Sequence, residues 1–425
     1  MKTKNLIIAA HPDDESFGMA GTIIKNANKA ALITLIAASL VVIISLGVRQ
    51  TFGLFFFDFE VDLGCSQTEF GFAMGIQLFF WGLLGPVFGI ITDKFSGRVA
   101  VFIGFLFYLA GIYFLNYGPN TGFWFTFDLG ILIGIGLAAT AISIPVSIVA
   151  KHFPLNSRTM ATGIVTAAGS FGYFVSPMYT RFTLMEFGWN TTLLIFGVMI
   201  LVGLIISLFL STPMTEFKQV NENKQTAMEA IKEAFSNKSY NYLTLGFFVC
   251  GWHIALVATH IPMHIRDKGL EDWTATAILA LIGLFNVFGT LTSGYLSTRF
   301  SKKKLLSAIY LLRGVSLIYF VFMPASVFNS LIFGATFGYL WLSTVPPTNG
   351  IVGHIFGTKY MGMLYGIVFV SHQIGSFLGA YLGGIIYEIN GNFDYAWYVS
   401  IALSIFAGLI HLPIIEKAIE RTQPA

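Results

Sequence analysis

Three charged side chains stand well inside long apolar stretches of this 425-residue sequence, namely Arg49, Arg313 and Asp128. Charge surrounded by apolar groups is costly, and such residues are kept where they do chemistry. A guanidinium in these surroundings can hold a carboxylate by two parallel hydrogen bonds. A carboxyl group in the same surroundings can take up and release a proton. Together, these residue types predict a site for a small anion, with proton coupling as a second possibility.

Each of the three residues also has a structural interpretation. Arg49 binds substrate or, alternatively, helix carbonyls or a fixed acid. Asp128 carries a proton, pairs with Arg49, or lies in an outer vestibule. Arg313 falls in the ninth apolar stretch, where bonding to neighbouring carbonyls is expected and substrate contact is not.

Several histidines lie in or beside the apolar stretches and extend the set of proton carriers, because imidazole titrates near physiological pH. His253 and His372 are at mid-depth, and Gln373 follows directly, so these three are predicted to contact substrate or to relay a proton. A hydrogen-bonded packing role is the alternative for both histidines. His260 and His264 are four residues apart, but no third ligand is evident, so no metal site is predicted.

The elements that must position these residues are membrane-spanning helices. The chain is 55% hydrophobic and 11% charged, with a mean hydropathy of +0.74, whereas soluble domains carry about 25% charged residues. The net charge of +3 is too small to indicate nucleic acid. Runs of about 20 apolar residues predict twelve spans, at 30–57, 68–91, 99–117, 123–150, 158–185, 189–211, 241–265, 274–298, 304–323, 327–354, 360–387 and 394–415.

The distribution of Lys and Arg predicts the topology, since basic residues concentrate in cytoplasmic loops. They cluster at alternate ends of the spans in a way that places both termini in the cytoplasm, and we expect a bacterial inner membrane. Residues 1–29 form an N-terminal segment, 30–211 and 241–416 two six-helix bundles, 212–240 a cytoplasmic linker and 417–425 a tail. Prolines in the fourth and tenth spans predict kinks there, and both cysteines are expected to be unpaired.

Two internal repeats support this division. GIITDKFSGRVAV from Gly89 is similar to GYLSTRFSKKKLL from Gly294, and FPLNSRTMATGIV from Phe153 to FGTKYMGMLYGIV from Phe356. The first of these segments resembles the cytoplasmic signature of the major facilitator superfamily, whose halves are parallel repeats. The resemblance implies an all-α fold of twelve helices and a cytoplasmic gate at Gly89, Asp93, Lys94 and Arg98, in which Asp93 pairs with Arg98 and with the next helix's N-terminus.

Within that superfamily, KHFPLNSRTMATGIVTAAGS from Lys151 and GVRQTFGLFFFDF from Gly47 resemble the monocarboxylate carriers and their bacterial relatives. This likeness implies alternating-access transport of a monocarboxylate with a proton. Such carriers often have an Asp and an Arg four apart on the eighth helix. Here Asn286 and Thr290 stand at those positions, and Asn286 is predicted to contact substrate. The sequence therefore predicts a secondary transporter of a small organic anion, with no cofactor; an exporter of amphiphilic compounds is the alternative.

The first residues do not resemble a transporter. NLIIAAHPDDESFGMAGTI, residues 5–23, is similar to the opening of the zinc-dependent GlcNAc-deacetylases, in which His11 and Asp14 would bind zinc and Asp13 would act as base. Such a site needs a further His ligand and a parallel sheet, for which the chain has no room before the first span. We expect a fragment without enzymatic activity, and a membrane-tethered deacetylase is the remote alternative.

Overall fold

The computed structural model describes residues 29–119, 122–153, 155–211, 225–357 and 359–419, which are helical almost throughout and include no strand. We number the membrane helices in chain order. They are α1 Lys29–Leu63, α2 Gln67–Lys94, α3 Gly97–Tyr117, α4 Phe123–Ala150, α5 155–187, α6 189–207, α7 Lys238–Asp267, α8 Trp273–Arg299, α9 Lys302–Phe322, α10 Val327–Leu340 with Val345–Phe356, α11 Met361–Asn390 and α12 Asp394–Ile410.

Nine helical stretches in the described part of the chain are long and apolar enough to cross a membrane. One of them, within Leu155–Ser207, turns at Gly188, whose φ of 73° favours glycine, and so counts as two helices, α5 and α6. The interrupted α10 and the 17-residue α12 complete a set of twelve. The predicted all-helical membrane fold is confirmed.

Both predicted kinks appear as breaks in the helices. In α4, a helix ends at Thr140 and the next begins at Ser143, two residues before Pro145. In α10, the first part ends at Leu340 and the second begins at Val345, directly before two prolines. Proline lacks an N–H and clashes with the preceding turn, so the freed carbonyls need other partners.

The apolar core has two parts. One cluster of buried side chains runs from Ala31 to Leu210 and also includes Ala255 and Ala380, and the other runs from Ala234 to Ile414. We call α1–α6 the first bundle and α7–α12 the second bundle. The linker segment contributes one helix, Ala227–Ser236, which begins with a capping box between Thr226 and Glu229. Both cysteines are free and buried.

The two bundles touch along α2 and α11 at one end of the molecule. We call this the closed end; it is where α1 joins α2 and α7 joins α8. A Cβ added at Gly71 would lie 2.4 Å from the Ala380 carbonyl oxygen, and one at Gly384 would lie 2.3 Å from that of Gln67. Close backbone approach of this kind is how small residues pack helices in membranes.

The opposite end, where α1 begins and α12 ends, is the terminal end. On the same two helices, Gly85, Gly89, Gly362 and Gly366 have open space around the Cβ position. The bundles therefore separate towards the terminal end.

Residues 411–419 form a strap across the terminal end of the second bundle. The Glu416 carboxylate accepts hydrogen bonds of 2.7 Å from the Ser301 hydroxyl and from the Lys303 N–H, at the start of α9. The Lys303 ammonium donates to the Ile414 carbonyl at 2.7 Å. The Ile419 N–H reaches the Ile355 carbonyl at the end of α10 at 3.0 Å. The strap thus ties α9 to α10.

Candidate functional site

Arg49 lies where the first part of α1 ends and a 3₁₀ turn, Phe52–Phe55, begins. Its side chain is 1% exposed. One nitrogen, Nη1, donates to the Gln50 amide oxygen at 3.3 Å, whereas Nε and Nη2 are buried without a hydrogen-bond partner in the described part of the chain. A buried guanidinium with two free donors is costly unless a further acceptor meets it.

The surroundings of Arg49 contain phenols and no acid. The hydroxyls of Tyr108 and Tyr173 lie within electrostatic range of the guanidinium. No carboxylate of a described residue lies within 4.0 Å of it, since the ion pairs found join Lys151 to Asp93 and Lys268 to Asp394. Among the described residues, helix carbonyls do not serve it either, because its one hydrogen bond there is to Gln50. A small carboxylate could use both free nitrogens at once.

Asp128 is buried in α4, within the seven-residue π-helical segment Thr126–Leu132. Its Oδ2 has no partner. The structure does not pair it with Arg49. The neighbouring Leu129 carbonyl accepts a hydrogen bond of 2.9 Å from the Gln77 amide of α2, and sequence reasoning missed Gln77. π-Helical turns recur at functional sites, and Asp128 keeps a free acceptor in one.

His372 and Gln373 of α11 lie where the second bundle meets the first. The His372 Nδ1 lies 2.9 Å from the Gln373 Oε1, and the Gln373 amide donates to the Leu78 carbonyl of α2 at 2.8 Å. The imidazole stacks on Phe369, with ring centroids 5.3 Å apart. This arrangement links a titratable ring to the interface between the bundles through one side chain.

Asn286 of α8 also bridges the bundles. Its amide donates to the Ser170 hydroxyl of α5 at 2.8 Å. Its Oδ1 accepts from Thr290 at 3.2 Å and from the Leu342 N–H, in the break of α10, at 3.0 Å. Asn286 and Thr290 therefore bond to each other, and Asn286 makes three hydrogen bonds to protein groups.

His253 and Arg313 lie inside the second bundle, away from its interface with the first. The His253 Nε2 lies 2.9 Å from the Ser400 carbonyl of α12, and its ring meets Phe337 of α10 edge-on. Arg313 donates to the Leu340 carbonyl at 2.7 Å and to that of Trp341. The expectation that Arg313 bonds to carbonyls is confirmed: it serves those freed by the break in α10. His253 is held in the manner of a packing histidine.

The predicted pairing of Asp93 with Arg98 is wrong. Asp93 pairs with Lys151 of α4 at 2.8 Å, and Arg98 donates to the Leu210 carbonyl after α6 at 2.9 Å. The side chain of Arg98 is drawn to the unsatisfied carbonyl at that helix end. Both contacts stay within the first bundle. Lys94 is exposed beside them.

Polar contacts that the sequence did not reveal hold the closed end together. His260 of α7 lies between the bundles, with Nε2 2.8 Å from the Ala380 carbonyl and Nδ1 3.3 Å from the Gln67 amide oxygen. The Glu388 carboxylate accepts from the Thr68 N–H at 2.9 Å. Within the described ranges, no three His, Cys, Asp or Glu side chains are grouped so that they could hold a metal. His11, Asp13 and Asp14 lie outside those ranges.

Comparison with known sequences places the chain among membrane transporters. The sequence model of the Major Facilitator Superfamily matches residues 38–344 and 275–425. The uncharacterized MFS-type transporter YcxA of Bacillus subtilis is 23% identical over 85% of this chain and 88% of its own length. Monocarboxylate transporter 12 of Mus musculus is 21% identical over 90% of this chain and 85% of its own length.

Solved structures agree on the fold. A bacterial homologue of the human lysosomal transporter Spinster, in an inward-facing and unoccupied conformation, superposes with a TM-score of 0.73. It is 15% identical in sequence, and the match covers 91% of this chain and 97% of that one. A similarity at this level of identity concerns the fold alone.

Proposed function

The chain belongs to the major facilitator superfamily, and from that premise we propose that it carries a small monocarboxylate across the membrane by alternating access, together with a proton. Family and fold identify a transporter and not an enzyme. The relatives that include monocarboxylate transporter 12 support the substrate class, since they align with nearly the whole chain.

The observation that carries the substrate proposal is the incomplete bonding of Arg49. Its Nε and Nη2 are buried and unpartnered, and no described carboxylate neutralises the charge. A substrate carboxylate would satisfy both nitrogens in one bidentate contact. We propose that the second bundle contributes Gln373 and His372 to the substrate site, because α11 meets α2 where the Gln373 amide donates to the Leu78 carbonyl.

We assign proton coupling to Asp128 and His372. Asp128 keeps an unpartnered oxygen in a π-helical segment, and His372 is linked by Gln373 to the opposite bundle. Asn286 makes three hydrogen bonds to protein groups, one from its amide nitrogen and two to its Oδ1, so we propose that it positions α8 and α10 rather than binding substrate. We leave His253 out of the site because α12 holds its ring.

The contacts between the bundles support a state that is open at the terminal end. We propose that both termini are cytoplasmic and that the membrane is a bacterial inner membrane, so this state faces inward. One edge of the opening at the terminal end would then be formed by Gly89, Asp93, Lys94 and Arg98. The division into bundles 30–211 and 241–416, joined by a linker, is part of the same proposal.

Transport assays on reconstituted protein test these assignments. Proteoliposomes with an imposed pH gradient should accumulate labelled lactate or pyruvate, and Arg49→Gln should abolish uptake, because the amide has no charge to offer. Arg49→Lys should retain a small fraction with a higher KM, since an ammonium cannot make the bidentate contact. Uptake that does not depend on the pH gradient would contradict proton symport. Normal uptake by Arg49→Gln would contradict the proposal that Arg49 binds the substrate carboxylate.

One observation favours a second function, the export of amphiphilic compounds. Aromatic rings line the contact between α2 and α11: Phe72 lies 5.9 Å and Phe79 6.4 Å from Phe377, and Trp81 lies 6.2 Å from Phe369. Such rings suit apolar solutes and lipophilic cations. Thermal stabilisation of the purified protein by lipophilic cations, and not by small acids, would favour the exporter.

A further inference from the structure

A small cavity at the closed end of the second bundle lies apart from Arg49. It has a volume of about 100 Å³ and is bounded by α7, α12 and the connection from α9 to α10. Its walls are aromatic and aliphatic, with Phe320 and Trp397 in edge-to-face contact at 5.6 Å. An engineered apolar cavity of about 150 Å³ holds benzene, so this smaller one suits a ligand with a short apolar part.

The lining of the cavity includes a hydrogen-bond donor without a partner among the described residues. The indole N–H of Trp397 donates to the His264 Nδ1 at 3.1 Å. An indole nitrogen can only donate, so the neutral imidazole of His264 must carry its proton on Nε2. His264 is 4% exposed and lines the cavity, and no described group bonds to its Nε2.

Other donors face the same space. Ser330 is 3% exposed, lines the cavity, and its hydroxyl has no hydrogen bond to a described residue. It lies in the first turn of the 14-residue helix that opens α10, after the N-cap Ser326, where the helix dipole favours an anion. Lys268 stands at the mouth, 3.4 Å from Asp394. Asp394 is the first residue of α12, so a helix N-terminus also compensates its charge.

We propose that this cavity binds a short-chain carboxylate, whose head group takes the Lys268, Ser330 and His264 donors and whose alkyl chain lies against Phe320 and Trp397. The site is separate from the transport site and does not depend on the proposed substrate. It takes a ligand from the side of the membrane that the closed end faces.

Protection of an engineered thiol tests this site. Val321→Cys, in protein with Cys65 and Cys250 replaced by serine, places a reactive thiol in the lining of the cavity and leaves the three proposed donors in place. We expect methyl methanethiosulfonate to label it and butyrate to slow the labelling in a saturable way, whereas butylammonium should not. Absence of labelling in the folded protein, with full labelling after denaturation, would overturn the proposal, because the cavity would then be inaccessible.

Two matched variants identify the head-group contact. Lys268→Gln should raise the half-protecting butyrate concentration about tenfold, the effect of losing one charge-assisted hydrogen bond. Asp394→Asn should leave protection intact or strengthen it, since it removes the only carboxylate of the lining. Equal effects of both variants would indicate that the ion pair is merely structural and would refute the anion site.

Arg49→Gln separates this site from the transport site. It should abolish uptake and leave butyrate protection of Val321→Cys unchanged. Protection that disappears with Arg49→Gln would show that butyrate acts through the central site, which overturns the proposal. Protection in a protein that transports no carboxylate would sustain the cavity site while the transport proposal fails.

Discussion

Replacing Gly71 by alanine should shift the transporter away from the state described here. A Cβ at this position would lie 2.4 Å from the Ala380 carbonyl oxygen, about 1 Å inside ordinary van der Waals contact of 3.4 Å. The neighbour is backbone of a continuous helix, so it cannot rotate away. Overpacking of this kind costs about 1–3 kcal/mol. Because 1.4 kcal/mol corresponds to about a factor of ten, the population of molecules closed at this end, relative to those open there, should fall roughly 5- to 150-fold.

Distance measurements across the closed end would detect this shift. Spin labels at Val61 of α1 and Ile389 of α11, which are 79% and 75% exposed, report the separation of the bundles. Gly71→Ala should lengthen and broaden the distance distribution. Gly366→Ala provides the matched control on α11, because its Cβ would meet nothing within 4 Å. An unchanged distribution in Gly71→Ala would refute the view that backbone contact sets the closure.

Three further perturbations have defined outcomes. Asn286→Ala should lower the free energy of unfolding by about 1–3 kcal/mol, because the partly buried Leu342 N–H and the Ser170 hydroxyl lose their partner; unchanged thermal stability would contradict this. Burial by itself raises the pKa of Glu416, but its hydrogen bonds outweigh burial and the pKa is lowered from 4.5. The melting temperature of Glu416→Gln should therefore be below that of the unsubstituted protein at neutral pH, and the difference should vanish as pH falls through the lowered pKa; a constant difference would be evidence against the strap. Lys151→Met should change stability by less than about 1 kcal/mol, since its pair with Asp93 is exposed, and a larger loss would indicate a latch.

The fold was accessible from the sequence because each span needs a long apolar run. Run length and composition located the helices to within a few residues, and Pro145 marked the break in α4, since proline acts on its own backbone. Arg313 was also predictable: a buried guanidinium beside a broken helix finds freed carbonyls. These are local consequences of residue type.

The contacts between the bundles could not be predicted in this way. His260 meets Gln67 across 193 residues of chain, and the rotation of α7 and α2 about their own axes decides that meeting. Asp93 pairs with Lys151 and not with Arg98 for a related reason. The relative positions of α2 and α4 along their axes set the distance between the Asp93 and Lys151 side chains. His253 was at the right depth for a site, yet its face of α7 is turned towards α12.

The π-helical segment around Asp128 has a consequence for any residue-by-residue survey of α4. Its hydrogen bonds run from residue i to i+5, so a turn holds more residues than an α-turn, while an α-helix repeats every 3.6 residues. The face that α4 presents is therefore rotated between the residues before Thr126 and those after Leu132. In a cysteine-accessibility scan, reactivity after Leu132 should follow the usual periodicity, but its phase should be displaced from that of an α-helix continued regularly from Phe123–Phe125.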